Sequence, residues 1–254
     1  MSHQKLTQIQ ILEELALNAL PCLQQVLDDG WILRFAEGYT KRANSTTPLY
    51  PSLQELEPKI ARCEAIYRDF GLKPAFRLVD LTQLNVLDQE LSRLGYIKQD
   101  SVSVLVKDIV ASKIALTVSQ SDIIFDSELS QEWLDHYVHA VDLPIKHWHT
   151  LSTMLEIIPY PTCYAYLKDR HRFGSCGLGV LANNYLGLFF LVTAKKLRRR
   201  GYASQLISAM LQWGQSKGAS LAYLQVETKN QPGINLYNKL GFRQMYQYFY
   251  RVKP

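Results

Sequence analysis

The stretch "KKLRRRGYASQLISAMLQWG", Lys195 to Gly214, sets five basic residues ahead of a glycine and then changes character. From Ala203 onward, small and apolar residues recur at helical spacing. Directly before it lies "YLGLFFLVT" (Tyr185–Thr193), an apolar run of strand length. The order is therefore strand, short loop, helix. A helix N-terminus carries unpaired N–H groups and the positive end of the macrodipole, and so attracts anions. Gly201 and the small Ala203 leave the backbone open to a pyrophosphate that a larger side chain would hold off. Glycine inside a plain helix costs ~1 kcal/mol relative to alanine, so its presence asks for such a reason. Arg198, Arg199 and Arg200 add charge-assisted donors, and Lys195 and Lys196 extend the positive rim. Neither a Gly-Lys-Ser/Thr phosphate loop nor a Gly-x-Gly-x-x-Gly turn is present. Taken alone, the stretch reads equally as a solvated basic loop before a helix.

Working outward, the chain of 254 residues is long enough for one large domain or two small ones. A net charge of +5 is mild and spread along the sequence, unlike the concentrated basic face of most nucleic-acid binders. The most apolar run, Leu186 to Val192, is far short of a membrane span, and "MSHQKLTQIQ" lacks the pattern of a secretory leader. Four cysteines (Cys22, Cys63, Cys163, Cys176) are scattered without metal-ligand spacing and read as reduced thiols of a cytoplasmic protein. No partner in the membrane or among nucleic acids is expected.

Two halves emerge along the chain. In the first, helical patterns cover Ile9–Ala19, Leu53–Gly71 and Asn85–Tyr96, and strands cover Trp31–Tyr39, Lys73–Val79 and Ser101–Asp108. Lys41–Ser52 carries the Asn, Ser and Pro of a loop. The pattern pauses near Lys107–Lys113, which sets an N-terminal α+β domain at 1–110 and a second at 111–254. The second opens with helices at Glu128–Ala140 and Ile145–Ile158. Strands follow at Cys163–Lys168, Gly174–Leu181 and Tyr185–Thr193, then the basic loop and its helix. The strand "LAYLQVET", the helix "GINLYNKLG" and the strand "QMYQYFYRV" complete it. "VLDQELSRLGYIKQDSVSVLV" (Val86–Val106) parallels "GINLYNKLGFRQMYQYFYRV" (Gly233–Val252): helix, Leu-Gly-aromatic stop, strand. Any helix with a glycine stop before a strand has this look; a duplication whose first copy has lost its phosphate loop is the other reading.

Arg198-Arg199-Arg200-Gly201-Tyr202-Ala203 fits the Arg/Gln-x-x-Gly-x-Gly/Ala signature of the GNAT superfamily of acyl-CoA-dependent N-acyltransferases. The helix, "LAYLQVET" and "NQPGINLYNKLGF" (Asn230–Phe242) follow in that family's order and spacing, so the chain resembles it from about Ile114 to the C-terminus. One departure is Gly233, where the family usually has alanine; Pro232 before it keeps helix initiation intact. The resemblance implies the GNAT fold, a mixed central β-sheet flanked by helices, preceded here by a smaller α+β domain that reads as a degenerate GNAT-like repeat.

It also implies roles. The amides of Arg199, Arg200, Gly201, Tyr202, Ala203 and Ser204 would cradle the pyrophosphate of acetyl-CoA, with Arg198 marking the register. Leu191, Val192 and Thr193 would lie on a strand splayed from its neighbour, the free groups of Leu191 and Thr193 pairing with the pantetheine arm. Tyr237 would protonate the leaving thiolate, and Asn230 would line the same cleft. A phenol (pKa ~10) is weakly acidic, so the transfer needs a short hydrogen bond. Packing is the competing reading for Tyr237, and turn formation for Asn230. Glu227, by its place at the end of "LQVET", is the candidate base for the incoming amine, and equally a solvent-facing charge at a strand end.

Other clusters read more plainly. His147 and His149 point to different helix faces, whereas His136 and His139 share one but lack a third ligand, so no metal is expected. "GSCGLGV" (Gly174–Val180) leads from strand into strand and reads as a glycine-softened strand. "RFAEGYTKRANS" gathers Tyr39, Arg42, Asn44 and Ser45 at a turn, either a solvated hairpin or a set of groups that reads a small charged acceptor. The expected function is acetyl-CoA-dependent transfer of an acyl group to a primary amine. The alternative is a non-catalytic acyl-CoA-binding or sensing module.

Overall fold

The computed structural model describes residues 3–79, 85–110, 123–169 and 172–254. The chain forms two units: residues 1–104 with 226–230 and 244–254, and residues 105–225 with 231–243. The expected boundary after residue 110 opens onto a segment outside the described residues. The units differ from that contiguous division mainly in the last strand, which belongs with the first half because it pairs there.

The first unit starts with helix α1 (His3–Ala19), followed by strands β1 (Gln24–Asp28), β2 (Trp31–Phe35) and β3 (Thr46–Pro48). Helix α2 (Leu56–Asp69), strand β4 (Ala75–Val79), helix α3 (Asn85–Arg93) and strand β5 (Ile97–Asp108) follow. With β11 (Arg243–Val252), the strand order is β1-β2-β3-β4-β11-β5. Only β3 and β4 are parallel among the registered neighbours of this group; β1–β2, β2–β3 and β4–β11 run antiparallel.

Strand alternation sorts this unit into two faces. Trp31, Leu33 and Phe35 of β2 and Phe76 and Leu78 of β4 join one cluster with Ile60, Cys63 and Tyr67 of α2 and Leu87 and Leu91 of α3. The helix residues recur at three and four, which is why the periodicity was readable. The intervening strand residues are Arg34 and Arg77, both buried. Arg34 donates to the carbonyls of Leu17 and Leu20 at the end of α1 and to that of Arg42. A cation on these last carbonyls satisfies orphan acceptors and complements the helix dipole. Arg77 makes a two-pronged ion pair with Glu13 of α1, lies 3.7 Å over the Tyr248 ring, and shares Glu13 with the Tyr246 hydroxyl.

The second unit holds β6 (Ile123–Asp126), α4 (Gln131–Ala140), α5 (Trp148–Glu156), β7 (Thr162–Asp169), β8 (Arg172–Ala182) and β9 (Tyr185–Thr193). Then come α6 (Tyr202–Ser216), β10 (Leu221–Glu227) and α7 (Gln231–Lys239). The order β10-β9-β8-β7-β6 is antiparallel except for β9–β10, where α6 makes the crossover to a parallel neighbour. The sheet is mixed and flanked by helices, as the GNAT resemblance implies.

Short strands escaped the sequence reading. In β1 four of five residues are exposed, Leu27 at 71%, so no buried alternation marks it. Strand β3 has three residues inside the stretch read as loop, and β6 has four. The helix expected over Ile145–Ile158 is a 3-10 turn at Ile145–His147 followed by α5. The Leu-Gly-aromatic stop is a shared cap: Gly95 and Gly241 take φ of 84° and 86°, and Tyr96 and Phe242 each donate back to the residue five earlier. Leu72 donates to Tyr67 in the same way at the end of α2, so the cap alone does not speak for duplication. The order of elements also recurs: three strands, helix, strand, helix, strand occurs as β1 to β5 and again as β7 to β11, with the third and fourth strands parallel each time. In the first half Glu55 stands at the N-cap of α2 and Glu57 in its first turn, carboxylates where an anion would have to sit.

Removing Arg77 strands a buried carboxylate. Arg77→Ala is expected to cost about 3–5 kcal/mol, and Arg77→Met with Glu13→Leu to recover most of it. Urea denaturation of the three proteins checks this through the shift in midpoint.

Candidate functional site

The strands β9 and β10 pair only from Tyr185↔Leu221 to Leu188↔Leu224. Strand β9 continues for five more residues to Thr193 without that neighbour. A β-bulge on its other side turns it away. Cys176 faces Val192 and Leu178 faces Phe189, so Gly177 alone opposes Phe190 and Leu191. Phe190 takes a positive φ of 52°, a strained conformation for an aromatic residue. Its ring is held edge-on against Trp133 and Tyr137 of α4, with centroids at 6.3 and 5.1 Å. Trp133 in turn donates its indole N–H to the carbonyls of Ala165 and Gly177, both at 3.2 Å. Leu191 packs to the other side. A Cβ at Gly177 would lie 2.6 Å from Leu191 Cδ2 and 3.2 Å from Met210 Sδ of α6. The glycines of "GSCGLGV" therefore serve close packing, as the strand reading expected.

Past Thr193 the chain makes a 3-10 turn at Lys195–Leu197 and reaches α6 through two left-handed residues, Arg199 (φ 66°) and Gly201 (φ 86°). Gly201 is the N-cap and supplies no side-chain cap. The first intrahelical donor is Gln205, to the Gly201 carbonyl at 3.0 Å. The amides of Tyr202, Ala203 and Ser204 thus sit at an uncapped helix start. The basic side chains are partly spent on the loop itself. Arg198 Nε donates to the Thr193 carbonyl at 3.2 Å, and Lys195 pairs with Asp142. Arg199 and Arg200 are exposed.

Tyr237 of α7 is buried beside Phe242, ring centroids 6.2 Å apart. Burial pushes its phenol up to about 12, so the group keeps its proton. Its carbonyl accepts from the Phe242 amide, and Lys107 Nζ donates to the Leu240 carbonyl at 2.6 Å, which fixes the end of α7. Glu227 has a half-exposed side chain and pairs with Lys229 Nζ at 3.1 Å, the solvent-facing arrangement of the second reading. The Asn230 amide donates to the Glu227 carbonyl at 2.9 Å, which closes a turn.

The acceptor candidates of the first half need correction. Asn44 is buried, and its side chain is consumed by its own loop: Oδ1 accepts from Ala36 and Gly38, and Nδ2 donates to Tyr39 and Thr40. Tyr39 is buried as well. Arg42 stays half-buried, while its carbonyl holds Arg34. Ser45 is buried too, its hydroxyl without a hydrogen-bond partner among the described residues, so this turn is scaffold: the Asn44 side chain completes the loop rather than facing outward.

A feature the sequence reading passed over lies on α4. His136 and His139, with Asp135, Phe173, Ala194 and Leu197, line a cavity of about 420 Å3. Burial holds the His136 imidazole below its ordinary pKa, so it is neutral at pH 7. The shared helix face of the two histidines was legible; the facing β9–α6 loop was not. Among the described residues no group of three His, Cys, Asp or Glu side chains is placed to hold a metal, and no helix is long and apolar enough to cross a membrane. All four cysteines are unpaired, and burial pushes the Cys63 and Cys163 thiols up to about 12.

The bulge predicts a coupled pair. Gly177→Ala is expected to cost about 1–3 kcal/mol by crowding Leu191, and Leu191→Ala to relieve part of it, so that the double variant is more stable than the sum of the two losses. Thermal denaturation of the four-protein cycle measures the coupling.

A family model described as "Probable histone acetyltransferase Rv0428c C-terminal" matches residues 6–251. The chain is 26% identical over 248 residues to the "Uncharacterized N-acetyltransferase YobR" of Bacillus subtilis (strain 168), covering 96% of this chain and 98% of that protein. In fold it is similar to a GCN5-related N-acetyltransferase from Kribbella flavida, with TM-score 0.69, 13% identity, and 96% and 95% of the two chains covered. It is also similar to a tandem GNAT protein from the clavulanic acid biosynthesis pathway, with TM-score 0.62, 10% identity, and 95% and 87% covered. The splayed strand, the uncapped helix start and a match over nearly the whole length agree: the chain belongs to that acetyltransferase family and is a GNAT N-acetyltransferase.

Proposed function

We propose that the enzyme transfers the acetyl group of acetyl-CoA to a primary amine by direct attack, with no covalent enzyme intermediate. The observation that carries this reading is the end of β9: five residues without their β10 neighbour, leading through a left-handed Gly201 into an uncapped helix. Amides of Arg199 to Ser204 would hold the pyrophosphate, where the helix dipole favours negative charge. The free edge of β9 at Leu191, Val192 and Thr193 would take the pantetheine arm as an added strand, with Arg198 bracing the Thr193 carbonyl. The amine nitrogen attacks the thioester carbonyl, an N–C bond forms, and the C–S bond breaks. Tyr237, which burial keeps protonated, gives its proton to the leaving sulfur, the attacking nitrogen releases one proton to water, and water returns one to the phenolate. Most of the acceleration comes from holding the two reactants in line, with strand amides facing the developing oxyanion.

Asn230 belongs to this reading through its turn after β10. Glu227 as base requires that its pair with Lys229 open first. Glu227→Gln is therefore expected to lower kcat/KM by well under the ~10²-fold that loss of a general base brings.

Gly201→Glu places a charged side chain at a positive φ where the pyrophosphate would sit, and is expected to weaken CoA binding by at least about tenfold in calorimetry. Unchanged affinity would sink the phosphate-loop assignment. Tyr237→Phe is expected to lower kcat by about 10²-fold with acetyl-CoA affinity unchanged. In the wild type, kcat/KM should rise with pH as the amine loses its proton. It should then stay level past pH ~10, because the donor phenol titrates above its usual value. Thiol release from acetyl-CoA with a panel of amines reads the two kinetic outcomes.

A further inference from the structure

We propose that the cavity between α4 and the β9–α6 loop is the acceptor subsite and that it selects amines carrying a flat, aromatic body, which rests on the acetyl-transfer reading above. The cavity's volume of about 420 Å3 lies in the range of small-molecule sites. The aliphatic stem of a lysine side chain would leave most of it empty. Its wall is partly aromatic: His136 and Phe173 both line it, their rings stacked with centroids 4.6 Å apart and planes 18° apart. Ala140, Ala194 and Leu197 add aliphatic surface around that platform. A planar ring gains from offset stacking on such a surface beyond its area alone.

The polar groups suit a cation. Asp135 lines the cavity; one of its oxygens accepts from Gln131 at 2.7 Å, and the other makes no hydrogen bond among the described residues. Of the two lysines at the rim, Lys195 pairs with Asp142, and Lys196 makes no ion pair among the described residues, so Asp135 is the one group in the lining that meets a cation. The His136 ring is held from behind: Glu132 lies 3.5 Å from its Nε2 and is itself anchored by Lys168 at 2.7 Å and the Tyr166 hydroxyl at 2.9 Å.

Position links the cavity to the reaction. Its wall includes Ala194, the residue after the free end of β9. On the same helix, Trp133 and Tyr137 cover the bulge residue Phe190. One helix therefore packs on the bulge with one set of side chains and lines the cavity with the next.

Ligand-observed NMR with the acyl donor absent tests the site apart from turnover, using 2-phenylethylamine and tyramine against n-butylamine. The two aromatic amines are expected to show saturation transfer and the aliphatic one not. Ala140→Phe, which fills the cavity from a partly exposed position, is expected to remove that transfer. In acetyl transfer the same variant should raise KM for the aromatic amines at least tenfold while leaving kcat and CoA affinity near wild type. Phe173→Ala should raise the same KM, and circular dichroism confirms that each variant is folded. Equal binding of aromatic and aliphatic amines, or an unchanged aromatic KM in folded Ala140→Phe, overturns the proposal. Aromatic binding that Ala140→Phe abolishes, together with no acetylation of any amine, supports the subsite and tells against acetyl transfer instead.

Discussion

The second unit depends on one local distortion, the bulge at Phe190–Leu191 opposite Gly177. A regular β9 would keep its parallel ladder with β10, and its N–H and C=O groups would be spent there. The bulge inserts a residue, increases local twist, and releases the last part of the strand. Holding an aromatic residue at positive φ costs of order 1–3 kcal/mol, and such strain persists only where packing over-determines it. Trp133 and Tyr137 provide that packing on one side, and Met210 against the bare Cα of Gly177 on the other.

Charge is used differently in the two units. Around β9 and α6 the useful positive potential comes from backbone: left-handed residues and an uncapped helix start, with Arg198 and Lys195 turned onto the loop or onto Asp142. In the first unit cations are structural. Arg34 closes the end of α1, Arg77 meets Glu13, and Lys59 is bound by Asp29 and Ser52 over the Trp31 ring at 4.0 Å. The same order of strands and helices runs through both halves, yet in the first the helix after the third strand starts among Glu55 and Glu57. That start repels an anion and has no glycine to expose its amides. One order of strands and helices therefore carries a glycine-led, uncapped helix start in one half and a helix start among carboxylates over an ion-paired core in the other.

Much of this was legible residue by residue. The spacing of Ile60, Cys63 and Tyr67 gives a helix face, and the alternation of Trp31, Leu33 and Phe35 gives a strand face, because each pattern reports one buried side. Gly201 before an apolar helix marks an open N-terminus for a steric reason that needs no tertiary knowledge. Strands β1, β3 and β6 were illegible because they are short and mostly lack an alternating buried face. Asn44 looked available because a polar side chain at a turn serves an outside ligand or its own backbone equally well, and only the fold shows that it serves the backbone. His136 and His139 were recognised as sharing a face, but a face becomes a cavity only when something stands opposite, and Phe173 and the β9–α6 loop are far away in sequence.

Local chemistry was enough to name the longer elements, their order and the open helix start at Gly201, since periodicity, glycine sterics and helix-end polarity act within a few residues. Long-range pairing decided the rest. The last strand lies against β4 in the first unit because its register with Ala75–Val79 is satisfied there. The parallel ladder of β9 with β10 stops at Leu188, and the bulge across from Gly177 lies directly after that stop. Where a backbone hydrogen bond goes is a property of two distant segments at once, and no reading of either segment contains it.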